Sequence, residues 1–141
     1  MPAIVGAHHT ALTVSDVERS SAWYADLLGL EQVLSGDDDV VSYRILTHPT
    51  DHCMLGLRQY HGRPDGPFDE HRTGLDHLAF GVRDRTELEQ WETELRRRGD
   101  IPFTPIADTP IGSVIVLRDP DNIQLELFFD PSDWAADGAE P

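Results

Sequence analysis

Apolar and polar positions run through the same order twice along this chain. Residues 8–14 alternate, which places His9, Ala11 and Thr13 on one face of a strand and Thr10, Leu12 and Val14 on the other. Val17, Trp23, Tyr24, Leu27 and Leu28 then supply apolar anchors for a helix from about Val17 to Leu28, closed by Gly29. Ser15 and Glu18 have the spacing of a capping box, with Ser15 as N-cap. Asp37-Asp38-Asp39 reads as an acidic turn; Val40 to Leu46 and Cys53 to Gln59 read as strands joined through Pro49. The second half repeats the plan. Asp76 to Val82 is a strand with His77, Ala79 and Gly81 on one face. Thr86 and Glu89 form another capping box, Leu88, Trp91 and Leu95 fall at helical spacing, and Gly99 closes the helix. Ser113 to Arg118 is a strand, Asp119-Pro120-Asp121-Asn122 a tight turn, and Ile123 to Phe129 the last strand. On that strand Gln124 and Glu126 face one side, opposite Ile123, Leu125 and Leu127.

The repeat has a signature: a histidine, an apolar residue three on, then Val and Asp. It is carried by His9, Leu12, Val14 and Asp16, and again by His77, Phe80, Val82 and Asp84. Each half therefore reads β-α-β-β-β, which makes the fold class α+β. The boundaries are 1–59 for the first module, 60–73 for a polar Gly- and Pro-rich linker, 74–130 for the second module and 131–141 for a tail that is expected to fray unless Trp134 anchors it. One helix should cover the apolar face of each sheet, with Trp23 and Trp91 in the core. The opposite faces, carrying His9, His77 and Glu126, should together line a concave space.

Composition narrows the function classes. With 11 Lys+Arg against 26 Asp+Glu the net charge is −15, which speaks against a nucleic-acid partner. The Arg96-Arg97-Arg98 cluster falls at a helix C-terminus, where cations complement the dipole. No apolar run is long enough for a bilayer, so no membrane association is expected. The start, Met-Pro-Ala-Ile-Val, has no signal-peptide core, and the lone Cys53 suits a reducing compartment; the expected location is the cytoplasm. Cys53 has no activating neighbour in sequence and reads as a small packing residue.

Glu126 changes the picture. An ionised carboxylate among Ile, Leu and Phe needs either water or a positive partner. A divalent cation held by Glu126 and two neutral imidazoles meets that need and leaves positions open for substrate. Composition and spacing leave a second reading open: two core or surface histidines and a solvent-facing carboxylate. Other histidines carry less. His8 should point away from His9, Pro49 separates His48 from His52, and His61 and His71 lie in the linker.

The segments HTALTVSDVERSSAWYADLLGLE, LDHLAFGVRD and VLRDPDNIQLELF resemble the vicinal oxygen chelate superfamily, which includes glyoxalases, bleomycin resistance proteins and type I extradiol dioxygenases. The resemblance spans roughly residues 8–129. It implies two βαβββ modules forming a cup-like mixed sheet. It also implies a metal bound by His9, His77 and Glu126, with Fe(II) or Mn(II) favoured and Zn(II) or Ni(II) as further options. Aligning the halves places Gly56 where a fourth ligand would stand. That departure disfavours glyoxalase I and methylmalonyl-CoA epimerase activities and leaves dioxygenase, lyase or transferase chemistry on a small oxygenated substrate that chelates the ion. The strand before the Asp-Pro turn lacks the His and Tyr usual in extradiol enzymes, and Phe103 to Asp108 lacks the Lys of fosfomycin-modifying enzymes. Weak candidates for the substrate pocket are Arg44, Gly56, Arg58 and Gln124, with Gln59 beside them. The alternative is a metal-free, bleomycin-resistance-like antibiotic-binding protein. A homodimer is expected in either case.

Overall fold

The computed structural model describes residue 4 and residues 7–50, 53–62 and 66–132; His52 and Trp134 lie outside the described residues. The chain divides into two compact units at Gly66/Pro67. The first contains β1 (Thr10–Thr13), α1 (Val17–Leu28), β2 (Glu31–Asp37), β3 (Val41–Thr47) and β4 (Met54–Tyr60). The second contains β5 (Leu78–Gly81), α2 (Arg85–Arg98), β6 (Ala107–Thr109), β7 (Gly112–Arg118) and β8 (Gln124–Phe129).

Both units are four-stranded mixed sheets with the same wiring, ordered β1-β4-β3-β2 and β5-β8-β7-β6. In each, the first strand pairs in parallel with the last, and the remaining pairs are antiparallel. The fold is therefore α+β, built of two βαβββ modules.

Alternation along the strands determines which face each helix covers. Leu12, Leu46, Leu55 and Leu57 are buried beneath Val17, Tyr24 and Leu27 of α1. Ile115, Leu117, Leu125 and Leu127 are buried with Leu88 and Leu95 of α2. Burying each such side chain stabilises the fold by about 1.5–3 kcal/mol. Trp23 and Trp91 are only half-buried, contrary to expectation. Trp23 instead lies edge-on to the buried Tyr24, with ring centroids 4.9 Å apart.

The helix starts differ from the sequence reading. The caps are Asp16 and Asp84, whose carboxylates accept from Arg19 N at 2.9 Å and Glu87 N at 2.8 Å. Ser15 Oγ instead accepts from the Arg19 guanidinium. In the second module Glu87 reaches back to accept from Arg83 N at 2.9 Å. A full negative charge next to the helix N-terminus outcompetes a neighbouring hydroxyl. The repeated Asp of the signature is thus structural. At the other ends Gly29 (φ 67°) and Gly99 (φ 73°) adopt the left-handed cap that side chains resist.

The outer edges are unlike. β2 spans seven residues and leaves Val33 and Leu34 more than half exposed, whereas β6 has three residues and carries Asp108. No helix among the described residues is long and apolar enough to cross a membrane.

Candidate metal centre

The face of the second sheet turned away from α2 carries Glu126, with His77 beside it. Glu126 lies mid-strand on β8, in register with Ala79 on β5 and Val116 on β7. Its side chain is 17% exposed, so the carboxylate is largely shielded yet reachable. His77 stands one residue before β5, and its Nε2 lies 3.5 Å from Glu126 Oε2. That is beyond a good hydrogen bond. It matches two ligand atoms sharing one ion, each about 2.1 Å from it and about 3.0–3.5 Å from one another.

The other ring nitrogen is already engaged. His77 Nδ1 is 2.6 Å from Asp76 Oδ1. A carboxylate can only accept, so His77 Nδ1 is the donor in that contact, and Nε2 is the ring nitrogen turned toward Glu126. This is the arrangement by which an outer carboxylate orients a metal-binding imidazole. Asp76 escaped the sequence reading, which carried strand alternation back through Asp76. β5 begins only at Leu78, so Asp76 and His77 are not on opposed faces. The same holds in the first module. β1 begins at Thr10, and His8 Nδ1 lies 3.0 Å from His9 Nδ1 instead of pointing away.

A polar chain continues outward from Asp76. Gln124 Nε2 approaches Asp76 Oδ1 at 3.5 Å, and Gln124 Oε1 accepts from Arg118 Nη2 at 2.8 Å. Arg118 also donates to both carboxylate oxygens of Glu70, at 2.6 and 3.0 Å. Those hydrogen bonds hold the Glu70 carboxyl down at about 2. Phe68 N donates to Asp121 O at 2.8 Å, so this part of the expected linker is tied to the second module. Asp69, Glu70 and His71 bring ligand atoms within 4.8 Å of one another. Arg118 takes Glu70, and Asp69 accepts from the backbone and ring of His71, so these donors are already committed.

In the first module the corresponding position is empty of ligands. Ala11 is in register with Gly56 as Ala79 is with Glu126. A Cβ on Gly56 would meet Ala11 Cβ at 3.4 Å and Ile45 Cδ1 at 3.5 Å, so the glycine leaves little unfilled space of its own. Arg58 shares this face and lies over the Tyr43 ring, 5.6 Å from its centroid. Arg44 and Gln59 face the helix instead. Arg44, nearly buried, pairs with Glu18 of α1 and with Asp37. Those partners raise its pKa, Glu18 first. Gln59 Oε1 accepts from Val17 N at 3.0 Å at the start of α1. His61 hydrogen-bonds Ser42 at 3.1 Å, and His48 hydrogen-bonds Thr50. His9 is exposed.

Comparison with known proteins agrees with this architecture. The sequence model of the Glyoxalase/Bleomycin resistance protein/Dioxygenase superfamily matches residues 6–127. The chain is 29% identical over 124 residues to the uncharacterized protein YwkD of Bacillus subtilis (strain 168), covering 86% of this chain and 94% of that protein. A glyoxylase/bleomycin resistance protein/dioxygenase domain from Frankia sp. EAN1pec superposes with a TM-score of 0.82 at 35% identity, covering 91% of this chain and 99% of that one. A point mutant of the fosfomycin resistance protein FosX of Listeria monocytogenes, complexed with Mn(II) and 1S,2S-dihydroxypropylphosphonic acid, shares the fold: TM-score 0.66, 18% identity, 89% and 93% coverage.

Proposed function

The chain belongs to the glyoxalase/bleomycin resistance protein/dioxygenase superfamily, and we propose that it is a divalent-metal-dependent enzyme of that group, acting on a small oxygenated substrate that chelates the ion. The proposed ligands are His9, His77 and Glu126. One observation carries the reading: His77 Nε2 and Glu126 Oε2 stand 3.5 Å apart while Asp76 holds the opposite ring nitrogen. His9 is the third ligand of the proposal, drawn from the first module of the same chain or of a second copy in a homodimer. The FosX complex supports Mn(II) as one suitable ion on this fold; Fe(II), Zn(II) and Ni(II) also accept imidazole and carboxylate ligands.

When bound, the ion supplies Lewis acidity toward substrate oxygens. The protein's own groups do the rest. Asp76 keeps the Nδ1 proton on His77 and so the Nε2 lone pair available. Glu126 contributes negative charge from a shielded position. Gly56 places no fourth ligand on the first module's face, which leaves coordination positions for substrate. Neutral substrate oxygens and anionic ones both suit such a centre, and the identity of the ion distinguishes dioxygenase from lyase or transferase chemistry.

The test is metal content by elemental mass spectrometry on protein purified anaerobically without chelator or affinity tag. About one ion per chain, absent from Glu126→Ala, is expected. No metal in the wild type, and none taken up on reconstitution, would overturn the reading in favour of metal-free small-molecule binding. Mixing His9→Ala with Glu126→Ala chains tests the origin of the third ligand. Metal regained in the mixture shows that two chains share a site.

A further inference from the structure

Beyond Glu126 the open face of the second module runs into an apolar cleft. Its volume is ≈ 710 Å³, and Ala79, Gly81, Pro110, Ile111 and Phe128 line it. That size suits a small organic ligand. Ala79 is at once part of the cleft and the register partner of Glu126. Gly81 and Phe128, themselves in register, come two residues further along β5 and β8, about 7 Å along the strands. The described lining holds no Lys, Arg or His. Its one carboxylate, Asp130, is turned to Ser132, accepting from the backbone N at 2.8 Å and from Oγ at 2.5 Å.

Gly81 is the telling residue. Its φ is not positive, so the backbone does not call for glycine there. A Cβ at Gly81 would meet nothing within 4 Å, so packing does not call for it either. Gly112, across the same face, contrasts with it. A Cβ there would lie 2.2 Å from Phe129 O and 2.8 Å from Phe128 Cε1. The Phe128 ring leans toward Gly112 and leaves Gly81 uncovered. The missing side chain therefore opens floor space in the cleft beside the candidate ligands.

We propose that this cleft receives the apolar, aromatic-sized body of the substrate, so that the enzyme selects chelators whose uncharged hydrophobic group reaches past Glu126 toward Gly81 and Phe128. This rests on the metal reading above. An apolar body displaces water from the cleft, while a charged one would lose its hydration with no partner to replace it.

The probes are acetohydroxamate and 3-phenylpropanohydroxamate, titrated calorimetrically into the full chain loaded with Zn(II). The phenyl tail should tighten binding at least about tenfold in the wild type. Gly81→Leu should erase that gain while holding acetohydroxamate within about threefold of its wild-type affinity. Equal binding of both probes in the wild type, or a tail gain that survives in Gly81→Leu, would overturn the proposal. If neither hydroxamate binds in a metal-dependent way, the metal reading fails and with it the chelator. The cleft is then decided separately by adding 3-phenylpropanol to metal-free protein. Amide shifts concentrated at Gly81, Ile111 and Phe128 uphold an apolar site, and their absence refutes it.

Discussion

The two modules share wiring, helix caps, core and the register of their parallel strand pair, yet differ at the outer edge and on one face. In the first, Gly56 meets Ala11 and Ile45, and Arg58 lies over Tyr43. In the second, the same register position holds Glu126, with His77 beside it and Asp76, Gln124 and Arg118 behind. The histidines are equivalent, but the residue before each is not: His8 in one, Asp76 in the other. Duplication has kept what the scaffold needs and let the open faces diverge. A residue freed from packing can change chemistry without unfolding its module.

The sharpest way to break this comparison is to exchange the fates of the two register positions. Glu126→Ala should abolish metal retention. Gly56→Ala, whose added Cβ makes ordinary contacts, should leave metal content unchanged by elemental analysis. If both lose the ion, the modules contribute alike and the asymmetry is false. The shared core predicts the opposite pattern. Leu57→Ala and Leu127→Ala, each removing a fully buried side chain, should both destabilise by about 2–5 kcal/mol in denaturant titrations. Asp76→Asn should weaken metal binding about 10–100-fold in competition with a chelator. His8→Ala should weaken metal binding less, because an imidazole brings no negative charge to polarise its neighbour as a carboxylate does.

Smaller effects refine the picture. Asp16→Ala and Asp84→Ala should each cost about 1 kcal/mol, equal within error, if the repeated Asp serves both helices alike. Glu70 offers a pH signal that belongs to the second module. Hydrogen bonds from Arg118 lower its carboxyl to about 2 in the folded chain. The contact is therefore at full strength above the ordinary carboxylate range and is lost as pH falls through about 2. The protection of the Phe68 amide, relative to its intrinsic exchange rate at each pH, should fall across that window, while that of β3 amides does not follow it.

Much of this was legible in the sequence. Strict alternation placed Leu12, Leu125 and Leu127 on the helix-covered faces, and Gly29 and Gly99 marked helix ends, because both signals are local. Gly56 was identified by aligning the halves, and the register agrees. The helix caps moved because Ser15-Asp16 offers two competent residues side by side, and only three dimensions show which oxygen meets the amide. Arg44 and Gln59 look like site residues in sequence, yet the strand phase turns both toward α1. Asp76 was hidden by an alternation rule extended past the end of a strand. The long-range pairs Arg118–Glu70 and Gln124–Asp76 depend on chain segments 48 residues apart, and no local pattern announces them.

The parallel pairing of first and last strands has a consequence for how the chain is made. Among the described residues, β1 has no hydrogen-bonded strand partner except β4, and β5 none except β8. As the polypeptide leaves the ribosome, Leu12 must wait until Leu57 has emerged before its ladder can close. The same delay recurs, independently, for Phe80 and Leu127. Synthesis thus delivers two self-completing parcels in succession, and a pause at the Gly66/Pro67 boundary would fall after the first ladder's last strand and before the second ladder's first.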